Sequence, residues 1–155
     1  MSAEHPDMQT ARTFLRMLPF VRSLGMELEA FDDAAVSISM PYDPRLVGDS
    51  STGVMHGGTM FALMDSACGT AVMAHPTRPQ ITATLDLRLE YFRAATPGQR
   101  ILARAECYHM TRSVAFVRAT AWDEDESRPV ATATGVFTVT PAPQPASQPA
   151  PEPAA

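Results

Sequence analysis

The spacing of apolar residues changes character near residue 75. From Met60 to Val72 they occupy nearly every face (Met60, Phe61, Leu63, Met64, Ala67, Cys68, Ala71, Val72), the pattern of a helix wrapped by other elements rather than laid on a surface. After the breaker segment His75–Pro79 the period drops to two. Ile81, Ala83, Leu85, Leu87, Leu89 and Tyr91 alternate with Thr82, Thr84, Asp86, Arg88, Glu90 and Phe92, which predicts a long half-buried strand. Three further strands follow over 101–110, 113–122 and 129–140, set off by the turn Thr96-Pro97-Gly98-Gln99 and the acidic loop Asp123–Glu126. Upstream, 25–31 and 35–40 predict two strands with a turn at Asp32-Asp33, and Pro41–Thr52 reads as a loop. Met8–Leu18 predicts a short amphipathic helix, stopped by Pro19 and packed over the domain's edge. One helix, two strands, one long apolar helix and four strands joined by short connections predict an α+β architecture: a curled antiparallel sheet wrapped around one central helix.

At 155 residues the chain suits a single domain. The division expected is an N-terminal helical segment over 1–20, a main domain over 21–140, and a disordered tail over 141–155, where proline and alanine dominate and no core can form. A net charge of -5, with no basic cluster, argues against nucleic acid or an anionic membrane surface. No charged segment followed by an apolar one opens the chain, and its two cysteines show no paired spacing, so the expectation is a cytoplasmic protein without disulfides. His5, His56, His75 and His109 lack ligand spacing, and no metal is expected. The chain has neither lysine nor asparagine, which excludes Schiff-base chemistry and any step that requires a side-chain asparagine.

Candidate chemistry concentrates in His56-Gly57-Gly58 and in Asp65. Adjacent glycines before a helix expose backbone N–H groups at the positive end of its dipole, a setting for an oxyanion. Asp65 lies in the middle of the apolar helix, where a carboxylate is expected to be desolvated and put to use. Gly48-Asp49-Ser50-Ser51 imitates the start of a serine-esterase signature, but that chemistry also needs an asparagine and a late Asp-x-x-His, which the chain lacks.

Gly53-Val54-Met55-His56-Gly57-Gly58, then Leu63-Met64-Asp65, then Thr84 through Arg93 on the long strand, together resemble the PaaI-type acyl-CoA thioesterases of the hotdog fold, over roughly Leu18 to Thr140. The resemblance implies hydrolysis of acyl-coenzyme A thioesters by a homodimer or homotetramer, with coenzyme A entering as part of the substrate and no separate cofactor. It implies that the Gly57 N–H holds the thioester carbonyl, that Asp65 activates water or attacks the carbonyl, and that Thr84 supports the water. His56 and Gly58 would shape the substrate loop, and Arg93, Arg112 and Arg118 are candidates for the coenzyme phosphates. The resemblance fails at one point: the asparagine or glutamine six or seven residues before the histidine is replaced by Ser50 and Asp49, and Ser50 is the candidate second donor. A non-catalytic acyl-CoA-binding module and a hotdog hydratase or dehydratase stand as alternatives.

Gly57 and Asp65 are eight residues apart, about 12 Å along one helix at 1.5 Å per residue. One thioester carbonyl cannot meet both. If both serve one reaction, they come from different subunits, and a symmetric dimer carries two equivalent sites.

Overall fold

Pro19, which ends the predicted N-terminal helix, also begins another. In the computed structural model α1 spans Pro6–Met17 and α2 spans Pro19–Ser23, with the proline ring at the first helical position, where its fixed φ fits and its missing N–H is not needed. Residues 6–32, 34–76 and 81–140 are described; Asp33 of the predicted turn, 77–80 of the breaker region and the proline-rich tail lie outside them. β1 (Glu27–Asp32) and β2 (Ala35–Met40) follow. The segment predicted as loop holds a 3-10 turn (Pro44–Leu46) and a short hairpin, β3 (Val47–Asp49) with β4 (Val54–Met55). The central helix α3 (Gly57–Ala74) starts three residues earlier than its apolar run, because His56 caps it. β5 (Thr84–Tyr91), β6 (Ile101–Met110), β7 (Val114–Trp122) and β8 (Ala131–Thr138) complete the chain.

Six strands form one antiparallel sheet in the order β1-β2-β6-β7-β8-β5, with α3 packed mainly across β6, β2 and β7. The inner face of β6, β7 and β8 is largely alanine (Ala103, Ala105, Ala115, Ala121, Ala131, Ala133, all buried), which lets the helix axis come close to the sheet. β2 supplies bulk instead through Val36, Ile38 and Met40. β5 does not neighbour β6, the strand that follows it in the chain. It pairs with β8 at the far edge, and the connection after it is tied down by the Phe92 N–H donating to the Val130 carbonyl and by a fork from Arg93 to Asp123. Among the described residues no helix is long and apolar enough to cross a membrane.

The expectation that α3 is wrapped on all sides holds for one stripe within a single protomer. Met60, Leu63, Met64, Ala67, Cys68, Ala71 and Val72 recur at three- and four-residue steps and are buried. The stripe Gly57, Phe61, Asp65, Gly69 and Met73 stays open or half-open, with Phe61 41% exposed. Of its two large apolar side chains, Phe61 is exposed and Met73 is half-buried.

β5 also departs from the half-buried strand that its alternation predicts. Thr84 pairs with Phe137 and Asp86 with Val136, so two steps on β5 match one on β8, and Leu85 is the extra residue of a bulge. A bulge reverses which side chains share a face. Thr84 therefore joins Leu87, Leu89 and Tyr91 toward α3 rather than Asp86, Arg88 and Glu90, and Leu85 is left 60% exposed.

Candidate active site

The N-terminus of α3 is built around His56. Its Nδ1 accepts from the Gly58 N–H at 2.9 Å, and its carbonyl accepts from the Thr59 N–H and hydroxyl. This side-chain cap explains the second glycine of the pair, because a Cβ at Gly58 would stand 2.9 Å from His56 Nδ1. It also narrows the expected pair of bare donors to one. The Gly58 N–H is occupied, whereas the Gly57 N–H has no partner among the described residues, and Gly57 is exposed. The Gly57 carbonyl accepts from the Tyr91 hydroxyl at 2.8 Å, and partial burial pushes that phenol up from its ordinary pKa. Val54, His56, Gly57, Tyr91 and Arg93 border a cavity of about 340 Å³ beside this end of the helix.

Two turns further along α3, Asp65 is half-buried rather than isolated. Its Oδ1 accepts from the Thr84 hydroxyl at 2.7 Å, a contact that exists because the Leu85 bulge turns Thr84 inward. Thr84 therefore touches the carboxylate itself. Through Thr84 and Tyr91, β5 is fastened to α3 at both candidate positions, running antiparallel to the helix. Asp65 and Thr84 open onto a second cavity of about 850 Å³, bounded by α3 on one side and by α1 and α2 on the other.

Cys68 lies behind the carboxylate. Burial first, and the Asp65 charge second, push its thiol up to about 12, so it stays protonated and serves as a small core residue.

The remaining candidates lie elsewhere. Ser50 sits exposed at the crown of the β3–β4 turn and borders neither cavity. Asp49 organises that turn: Oδ1 accepts from the Ser51 N–H and hydroxyl and Oδ2 from the Thr52 hydroxyl, bonds that hold its carboxyl below the ordinary range. The Arg93 guanidinium borders the smaller cavity but is engaged, donating to both oxygens of buried Asp123 at 2.7 and 2.8 Å and to the Arg128 carbonyl. Arg112 projects from the exposed β6–β7 turn. Arg118 pairs with Glu106 and lies 5.4 Å from the Tyr108 ring centroid. Tyr91 was legible only as an apolar strand position, and nothing in the spacing marked its hydroxyl as a tie to Gly57.

A family model described as the thioesterase superfamily matches residues 52–130. The medium/long-chain acyl-CoA thioesterase YigI of Salmonella typhimurium is 28% identical over 152 residues, spanning 90% of this chain and 97% of that protein. Among solved structures, a protein from Pseudomonas aeruginosa aligns at 35% identity with a TM-score of 0.77, over 86% of this chain and 98% of its own. The E. coli PaaI protein, from the phenylacetic acid degradation operon, aligns with a TM-score of 0.75 over 84% of this chain and 91% of its own; at 17% identity that likeness speaks for the fold alone.

Proposed function

The chain belongs to the thioesterase superfamily, and we propose that this thioester hydrolase acts on acyl-coenzyme A, releasing a free carboxylic acid and coenzyme A. Its sheet curled around α3 is the hotdog fold. The observation that carries the reading is the presence of two groups on the open stripe of α3: a Gly57 N–H at the helix N-terminus, without a partner among the described residues, and a carboxylate gripped by Thr84.

In this reading the thioester oxygen accepts from the Gly57 N–H, where the helix dipole and the fixed donor favour the negative charge that develops as the carbonyl becomes tetrahedral. Asp65 of the partner subunit removes a proton from the attacking water, or attacks the carbonyl itself to give an anhydride that water then opens. Collapse of the tetrahedral species breaks the C–S bond and expels the coenzyme thiolate. The Thr84 hydroxyl occupies Oδ1 of the carboxylate and steadies it, so Oδ2 is the oxygen proposed to meet the water or the carbonyl. Arg112, exposed and without an ion pair among the described residues, is the arginine proposed for a coenzyme phosphate, since Arg93 is committed to Asp123.

Three features support a homodimer. Gly57 and Asp65 are about 12 Å apart along one helix. Phe61, one turn from each, is exposed between them. β5 is a long edge strand with Leu85 and Tyr91 exposed, followed by exposed Phe92, a combination that proteins in water commonly cover.

Purified protein is expected to release thiol from at least one member of a panel of short, medium, long and aryl acyl-CoA esters. Asp65→Asn is expected to lose on the order of 10² to 10⁴ in kcat. An intact rate in Asp65→Asn, or no hydrolysis across the panel, overturns the proposal. Single-turnover hydrolysis in heavy-oxygen water separates the two roles of Asp65, because label enters its carboxylate only by way of the anhydride.

A further inference from the structure

We infer that α1 and α2 form the wall of an acyl-chain site and set the chain length the enzyme prefers, an inference that rests on the thioesterase reading above. The larger cavity begins at Asp65 and Thr84 and follows α3 through Ser66, Gly69, Thr70 and Met73 to Ala74. Nine steps of helical rise make that path about 14 Å long. Among the described residues that line it, Asp65 is the one ionisable side chain, beside a few hydroxyls, and the others are apolar. Such a lining suits an unbranched hydrocarbon chain whose carbonyl stays at the polar end.

The opposite wall comes from the N-terminal helices. Ala11, Phe14, Leu15 and Leu18 project from α1 and its end, and Phe20 and Val21 from α2. Phe14, Leu18 and Phe20 are large, apolar and exposed, as is Ile81 across the opening, and all four border this one cavity. Exposed apolar side chains gathered around a single opening mark a surface that meets something apolar. Continuity with Asp65 assigns the occupant as the acyl chain of the substrate. These helices lie outside residues 52–130, the segment that matches the family, so they can change substrate range without altering the elements that hold Gly57 and Asp65.

The test uses the full chain with Ala11→Phe, which fills the cavity from α1, and Phe14→Ala, which removes part of its wall. Dodecanoyl- and butyryl-CoA are compared by kcat/KM, and dodecanoate and hexanoate are titrated against a bound fluorescent fatty acid. In the unaltered protein each added methylene is expected to tighten acid binding about fourfold. Both variants are expected to lower the dodecanoyl-to-butyryl ratio about tenfold or more and to weaken dodecanoate in parallel. A ratio that neither variant moves, with hydrolysis intact, overturns the inference and leaves the thioesterase reading standing. Chain-length-dependent acid binding that the variants weaken, with no ester hydrolysed, sinks the thioesterase reading and keeps the site. A change in oligomeric mass with no change in ratio assigns the cavity to a second copy of the chain and overturns the inference.

Discussion

Gly135 on β8 lies directly against Asp86 on β5: a Cβ at Gly135 would stand 2.7 Å from the Asp86 carbonyl oxygen and 2.8 Å from Leu87 Cδ1. The carbonyl belongs to the backbone just past the Leu85 bulge and the methyl to the next side chain, so the glycine permits the close approach of β8 to β5 at the bulge that turns Thr84 toward Asp65. Gly135→Ala is expected to destabilise the protein by about 1–3 kcal/mol through overpacking and to lower kcat by more than that loss explains. Thermal unfolding and kcat, measured on the same preparation below the unfolding transition, check it; a stability loss with kcat intact would mean that the bulge does not govern Asp65.

Thr84→Val keeps the shape of the side chain while removing the hydroxyl that donates to Asp65. The expected result is a lower kcat with KM little changed, because the hydroxyl orients a reacting group rather than binding substrate. Thr84→Ser retains the donor and is expected to recover much of the rate. Steady-state kinetics on both variants decide the point.

Removing the cap of α3 affects stability and the oxyanion donor together. His56→Ala leaves the Gly58 N–H without its partner and is expected to cost about 1 kcal/mol. His56→Asn can accept from the same N–H and is expected to recover most of that loss. Urea unfolding of the two variants tests the cap, and a rate in His56→Asn close to that of the parent would show that the imidazole takes no part in proton transfer.

Asp123 is expected to make stability fall in acid. The fork from Arg93, more than any other contact, holds its buried carboxyl well below the usual carboxylate range, with further help from the Thr96 hydroxyl and N–H. A carboxyl whose pKa is lower folded than unfolded contributes stability that is complete above the unfolded value, about 3.9 for Asp, and is lost as pH falls from there through the folded value. Unfolding free energies are therefore expected to decline below about pH 4. Asp123→Asn is expected to be less stable by about 3 kcal/mol at neutral pH and to show a flatter decline in acid. Equal slopes for the two proteins would remove Arg93–Asp123 from that role.

The fold was legible in the sequence wherever periodicity is unbroken. The alternation in β6 and β7 and the apolar run of α3 fixed their positions to within a few residues, and the His-Gly-Gly segment marked the helix entrance. Two things escaped. A single extra residue at Leu85 reverses the face of Thr84, and a period-two pattern carries no sign of that slip. The open stripe of α3 carries Phe61 and Met73 beside Asp65, and large apolar side chains there look the same in sequence as those of the buried stripe, so composition could not separate core from site. Pro19 read as a stop signal, although a proline at a first helical position starts a helix equally well.

The alanines beneath α3 have a consequence for how such an enzyme diversifies. A larger side chain on that face would lift the helix and shift Gly57 and Asp65 together, whereas the side facing α1 and α2 has room for change. One helix thus has two unlike sides: the sheet side is held by close packing, and the outer side, apart from Gly57 and Asp65, borders space in which side chains can change size to suit another substrate.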